Sequence, residues 1–514
     1  MDHNGDGLVI PYGLADYHAP VDRTTAGKPF LFWLNDDQDD LELYETWPHT
    51  APDNRDDTPG SLRDLEDLTR LALFHPRWSE LVGDDASLRL RWRGSDSPPT
   101  LRLWRMANPS CSRSYLEETA AGQAQLLAPF VETVGTVGRR ELSIPLSHWR
   151  DWAFDHNALC FLFEGVTVGQ GALEASLVSS AGVEVAEPVH IGIRQIKTFY
   201  DRVGVTWPED LKPPWKFFSD PPEPELQAEP EPMGHPFQRP WYEEDDIIVW
   251  VHGWIPQDPE NYRRTMVFSF ETMWKRLWHQ GFRGRIIHFR WPTVKRNEMF
   301  GLLTSEYRGY KSAPALLEFI DTLPENRSIH VTTHSLGGIV LMEAIRLGLA
   351  VEQALFQVSA VPAESFDSND ALVIPQMAGL DTPRDADSVG FAGYLQKSKT
   401  PIYNAYNPAD ITWLGWNAAQ RVGKPAAGFS RRYVHRPEND EGEEVRMRYF
   451  FAFSRGVADR HEALALAVPS RSQALGGEGR VGGVVEESFN LHAPPFSFQS
   501  DHVAMWRWNP HKVL

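Results

Sequence analysis

The stretch Val331-Thr-Thr-His-Ser-Leu-Gly-Gly-Ile339 decides how the second half of this 514-residue chain is read. It closes a β-like run, Ser328-Ile-His-Val-Thr332, and opens a helix-like one from Ile339 to Arg346. A serine on the sharp turn between a strand and a helix stands clear of the backbone, where its hydroxyl can act as a nucleophile. Small residues relieve the crowding in such a turn, and Gly337 and Gly338 meet that need after Ser335. Before it the G-x-S-x-G pattern is incomplete, because Thr333 stands where the first glycine is usual. The competing reading is a helix start in which Ser335 only caps.

Upstream, Val249-Trp-Val-His-Gly-Trp254 ends another apolar run. A His-Gly pair at such a strand end brings a backbone N–H close to a reacting carbonyl. The N–H groups of Trp254 and Leu336 then serve as the two donors of an oxyanion hole. Gly253 permits the tight backbone, with His252 in support.

Around these motifs the pattern is regular. Apolar runs at 247–251, 285–289, 328–332, 355–358 and 402–406 alternate with helix-like segments such as 261–279 and 310–322. That alternation predicts a mostly parallel sheet with helices on both faces.

On Val251-His-Gly-Trp254, Phe289-Arg-Trp-Pro292 and Thr333-His-Ser-Leu-Gly337, the chain resembles the α/β-hydrolase superfamily, and within it bacterial lipase- and esterase-like serine hydrolases. The resemblance runs from about 245 to the C-terminus and leaves out the first half. It implies cleavage of carboxylic esters through an acyl-enzyme, with no cofactor required, and a triad in the order serine, acid, histidine. Asp410 is the expected acid, at the tip of the turn that Asn407-Pro408 marks after the run at 402–406. A turn aspartate bonding nearby backbone is its bland alternative, and Glu364 and Asp367 are the fallback acids. His502, in Gln499-Ser-Asp-His-Val503, is the expected base, with His492 as rival. His334 adjoins the serine but should point away from it. Insertions at 291–309 and 361–396 should frame a pocket, where Phe300, Leu302 and Leu303 form an apolar acyl site or lid, or pack against the body.

The first half reads differently. Ser87-Leu-Arg-Leu-Arg-Trp92 and Thr100-Leu-Arg-Leu-Trp104 alternate apolar and polar residues, as half-buried strands do, and similar runs follow at 140–144, 158–163 and 172–178. They predict an all-β, sandwich-like domain of roughly eight strands. Between 207 and 242 prolines interleave with glutamates, the composition of an extended linker. The expected division is an N-terminal segment at 1–27, a β-domain at 28–206, the linker at 207–242 and the hydrolase domain at 243–514.

Composition bounds the rest. Hydrophobic residues make up 42% and charged residues 23%, as in soluble globular proteins, while 19 tryptophans are rich enough to ask whether they line cores or a polymer-facing surface. The net charge of −20 argues against a nucleic-acid partner. No apolar run approaches a transmembrane length, and Met-Asp-His-Asn-Gly-Asp-Gly has neither the charged nor the apolar region of a leader. A chain with its leader trimmed would look the same: a secreted or cell-surface setting is expected in that case and a cytoplasmic one otherwise. The expected partner is a small-molecule, lipid or polymer ester; oligomeric state is not readable. Asp2, Asn4 and Asp6 alternate ahead of Gly7 like the first half of a calcium loop, its remaining ligands drawn from elsewhere, such as 35–40; an Asp/Gly turn and a solvated acidic loop are the alternative to a structural calcium. Calcium would favour an extracellular setting. Of two cysteines, Cys160 sits in an apolar run and reads as a buried free thiol, which leaves the compartment open. Two other classes stand beside the esterase: an amidase or thioesterase with the same triad, and a binding or adhesion protein with a degenerate hydrolase half.

Overall fold

The computed structural model describes residues 24–35, 67–74, 85–105, 133–149, 158–180, 182–206, 225–228, 246–254, 270–293 apart from 272 and 276, 301–366, 395, 398–406 and 485–490. In chain order the first half contributes β1 (Phe30–Trp33), β2 (Thr69–Phe74), β3 (Ser87–Arg93), β4 (Thr100–Arg105), β5 (Thr133–Val137), β6 (Leu142–Pro145), β7 (Ala158–Thr167), β8 (Gly169–Ser179), β9 (Gly182–Val185) and β10 (Val189–Arg194). Then come β11 (Asp201–Thr206), β12 (Glu225–Ala228), β13 (Ile247–Val251), β14 (Arg285–Arg290), helix α1 (Gly301–Asp321), β15 (Ile329–His334), helix α2 (Gly337–Leu347), β16 (Gln353–Gln357), β17 (Ile402–Tyr406) and β18 (Val485–Asn490).

The strands β11 to β18 form one eight-stranded sheet in the order β12-β11-β14-β13-β15-β16-β17-β18. All neighbours run parallel except the edge strand β12, which is antiparallel to β11. Parallel strands of this kind are covered on both faces, which is why β13 is buried at every position and β14 at all but its first. Helix α2 lies against β13, β15 and β16, and its residues from Gly337 to Ile345 are all buried. Helix α1 packs on α2 at Gly309, where a Cβ would come within 3.2 Å of Ile339 Cγ2.

This sheet starts earlier in the chain than expected. β11 lies inside the stretch assigned to the β-domain, and β12 inside the proline-rich linker, yet both belong to the parallel sheet. An edge strand of four residues needs only one side of its ladder, so it survives in a sequence too proline-rich to read as a strand. A truncation at the linker would therefore strip two strands from the hydrolase sheet. Helix α1 also begins nine residues before the expected Tyr310, at Gly301. Leu302 and Leu303 thus lie in its first turn rather than in an insertion loop.

The first half holds two further sheets, β1-β10-β8-β3-β6 with β9 on β8, and β2-β7-β4-β5. A bridge between Leu34 and Gly165 links them. Their inward side chains, among them Leu88, Leu90, Leu101, Leu103, Phe161 and Phe163, belong to one apolar cluster continuous with the core of the parallel sheet. Tryptophan supplies much of that continuity. Trp33 of β1 meets Trp274 and Trp278, both helical, edge-on at 5.3 and 5.0 Å. Phe30 adds a third edge contact to Trp278 at 5.7 Å. Most of the described tryptophans whose side chains are placed are buried in the core.

Cys160 corrects the sequence reading. It is buried, as expected, but disulfide-bonded rather than a free thiol; the one other cysteine in the sequence is Cys111. Burial in an apolar strand is compatible with either state, so the apolar run carried no information about which one holds.

Candidate active site

The parallel sheet has a point where the chain reverses its direction of travel. β14 adds to one side of β13, and after α1 the chain crosses to add β15 on the other side. In open parallel sheets the crevice outside the carboxyl ends of such strands is where ligands bind. The carboxyl end of β13 runs into His252, Gly253 and Trp254, and that of β15 into Ser335. The two motifs singled out in the sequence therefore meet at the switch point.

Ser335 is held in the left-handed region at φ 52. A side chain there is strained, and the strain is fixed from both sides. The Ser335 N–H donates to Gln357 C=O at 3.0 Å, and Ala360 N–H donates to Ser335 C=O at 2.9 Å. Val358, between those two partners, is the other described non-glycine residue at positive φ, 36. Its own N–H donates to Ala405 C=O of β17 at 2.7 Å, so the turn is tied across two further strands. Just after the serine, Gly338 N–H returns to Ser335 C=O at 3.1 Å and starts α2. Among the described residues no hydrogen bond engages the Leu336 N–H.

The glycines are there for contact, and two of them set the site. A Cβ on Gly253 would lie 2.8 Å from Ser335 Cβ, so the β13 loop passes directly against the serine. A Cβ on Gly337 would lie 2.3 Å from His252 C=O and 2.6 Å from Val251 C=O, so α2 starts against the same loop. Thr333, where a glycine is usual, is fully buried with its Oγ1 3.4 Å from Ser359 Oγ. A small residue after β16 is what makes room for the threonine.

His252 is fully buried. Its Nε2 accepts the Trp291 backbone N–H at 3.1 Å, and its Nδ1 lies 2.7 Å from Gly253 C=O. Trp291 also donates its indole Nε1–H to His252 C=O at 2.7 Å and stacks on the imidazole at 5.5 Å and 15°. His334 adjoins the same loop, its Nδ1 3.1 Å from where a Gly253 Cβ would be. Asp410, His502 and His492 fall outside the described residues, as do the calcium candidates Asp2, Asn4 and Asp6. Among the described residues no group of three or more His, Cys, Asp or Glu side chains could hold a metal ion, and no described helix is long and apolar enough to cross a membrane.

Two residues of this region carried no role in the sequence. Trp291 was visible within Phe289-Arg-Trp-Pro292, but its bond to a histidine 39 positions upstream was not. Ser359 had no signal at all.

Burial holds the His252 imidazole down at about 3; the Arg290 charge adds to this, and the Gly253 bond opposes it. His288 is likewise held well below the ordinary range by burial, then by Arg290, His252 and Arg202, and neither of its ring nitrogens has a hydrogen-bond partner. Both rings are neutral in the folded protein. In the unfolded chain they titrate near 6.5. Below that pH the unfolded chain binds protons the folded one refuses, so this contribution is complete above it and lost as pH falls toward the folded values. At about pH 4.5 the loss is on the order of 3 kcal/mol from His252 alone. Denaturant unfolding between pH 7 and 4.5 should show a shallower pH dependence for His288→Leu than for the native protein; equal slopes would contradict this assignment.

A parallel sheet reversed at β13 and β15, with a left-handed serine leading into a helix at the reversal, is the α/β-hydrolase fold. The model of a family described as "Alpha/beta hydrolase of unknown function (DUF900)" matches residues 239–361. No curated protein matches. Among solved structures the chain is similar to Est1E from Butyrivibrio proteoclasticus, at 15% identity over 34% of this chain and 74% of that one, with a TM-score of 0.21. It is also similar to the metagenomic carboxyl esterase MGS0156, at 13% identity over 53% of this chain and 73% of that one, with a TM-score of 0.20.

Proposed function

We propose that the second half is a carboxylic ester hydrolase with Ser335 as its nucleophile. The observation that carries this reading is the left-handed φ of Ser335 at the strand-to-helix turn. Such a conformation persists only where the surroundings over-determine it, as the bonds to Gln357 and Ala360 do here, and at a sheet switch point a serine so held is presented as a nucleophile. The partnerless Leu336 N–H beside it, and the close approach of Gly253, supply what an oxyanion hole needs.

In this mechanism His502 takes the Ser335 proton while Asp410 orients the imidazole and stabilises its charged form. The alkoxide attacks the ester carbonyl, and the Leu336 and Trp254 N–H groups hold the oxygen as it becomes negative. The histidine returns its proton to the leaving alcohol. Water then attacks the acyl-enzyme by the reverse sequence and frees Ser335. Acceptable substrates are small-molecule, lipid or polymer esters. The two first-half sheets, sharing one apolar cluster, are read as a sandwich-like support for this domain.

The test is turnover of p-nitrophenyl esters of graded chain length, with matched amide and thioester substrates alongside. Ser335→Ala should lower kcat by about 10⁴-fold or more without unfolding the protein. Turnover confined to amides or thioesters would replace the ester assignment and keep the nucleophile. Equal turnover by native and variant protein would remove both.

A further inference from the structure

We propose that His252 is a positioning residue that sets the direction of the Trp254 N–H, and that Trp291 holds His252 in place to do so. The proposal rests on the ester-hydrolase reading of Ser335. It asks what aims one of that site's two oxyanion donors.

The geometry fixes the tautomer first. His252 Nε2 accepts a backbone N–H from Trp291, so in the neutral ring the proton sits on Nδ1. Nδ1–H then donates to Gly253 C=O at 2.7 Å. That carbonyl and the Trp254 N–H belong to a single peptide unit, and the described residues contain no cis peptide bond. In a planar trans peptide the C=O and N–H point in opposite directions. Capturing the carbonyl on the imidazole side therefore turns the N–H to the opposite side. Without that capture the peptide can rotate as a unit, and the site would face a carbonyl oxygen where it needs a donor. An acceptor in that place repels the developing oxyanion, so the error costs more than a missing hydrogen bond.

Trp291 keeps the imidazole from turning. Its backbone N–H fixes Nε2, its indole Nε1–H holds the His252 carbonyl, and its ring lies nearly parallel to the imidazole. The loop so aimed is the one that passes against Ser335 Cβ. A part for His252 as acid or base is excluded by the same contacts: both ring nitrogens are engaged, the ring is fully buried, and it stays neutral at ordinary pH.

The test compares native protein, Trp291→Phe and His252→Phe. Trp291→Phe keeps the ring stack and the backbone donor while removing the indole N–H. Rates on p-nitrophenyl butyrate are normalised to active sites titrated with a fluorophosphonate, so unfolded protein does not count. The proposal expects kcat to fall about 10-fold in Trp291→Phe and about 100-fold in His252→Phe, with KM within about twofold. Phenylboronic acid, which forms a tetrahedral adduct on the serine, should lose affinity in parallel with kcat. If the titrated variants turn over and bind the boronic acid like native protein, the proposal is overturned while the hydrolase reading stands, whatever happens to their melting temperatures. Native protein that neither takes the fluorophosphonate nor turns over the ester overturns both.

Discussion

Gly337→Ala is expected to destabilise the protein by about 3 kcal/mol and to lower ester turnover by about 100-fold or more. A Cβ at 337 would meet the backbone carbonyls of His252 and Val251 at 2.3 and 2.6 Å. Neither atom can swing aside as a side-chain end can, because β13 is paired on both sides, with β14 and β15. Relief comes only by moving the start of α2 away from the His252–Trp254 loop. That movement separates the two proposed oxyanion donors, so stability and activity fall together. Gly27→Ala is the control: nothing lies within 4 Å of its added Cβ, and both quantities should stay unchanged. Thermal unfolding together with kcat/KM for the two variants checks this; a Gly337→Ala protein with native turnover contradicts the close packing of the turn on the loop.

The second large effect concerns the join between the two halves. Lys275→Met is expected to cost about 3–5 kcal/mol. Lys275 Nζ pairs with Asp67 Oδ1 at 2.7 Å, the two side chains are only 3% and 2% exposed, and Asp67 also accepts the Trp33 indole N–H. Asp67 leads into β2, whereas Lys275 is a helical residue beside the parallel sheet. Removing the ammonium leaves the buried Asp67 carboxylate, beside the Trp33 indole, without the cation that balances its charge. Replacing both partners is a different matter, since two apolar groups leave no buried charge. Asp67→Leu with Lys275→Met should therefore recover much of the loss, and urea unfolding of the four proteins as a double-mutant cycle measures that recovery. The native protein should also unfold in a single transition, because the apolar cluster is continuous across the halves. Two separate transitions, or a Lys275→Met protein as stable as native, would contradict this description.

Much of the hydrolase-fold half was legible in the sequence because its signals are local. A buried parallel strand is an unbroken apolar run, so β13, β14, β15, β16 and β17 all stood out within a few residues of their ends. The serine turn was readable from Gly337 and Gly338 even with Thr333 in place of glycine. The elements that escaped are those whose stability is not written in their own residues. β12 sits among prolines, and β11 reads as the close of the preceding β-rich half; β11 is a strand because β14 offers a free side, and β12 because β11 then offers one. Lateral partnerships escaped for the same reason. Nothing near His252 announces Trp291, nothing near Asp67 announces Lys275, and Ser359 matters because Thr333 and Gly338, more than twenty positions upstream, pack against it. Cys160 was misread because burial was taken as a sign of its oxidation state. Asp410 and His502 remain proposals that rest on chain order.

The central claim is that Ser335 is a nucleophile, and covalent labelling tests it most directly. Native protein is incubated with a fluorophosphonate, digested with trypsin and mapped by mass spectrometry. The expected result is a single adduct on Ser335, within the tryptic peptide 328–346, and no adduct in Ser335→Ala. A folded native protein that takes no label, or takes it on another residue, would contradict the account.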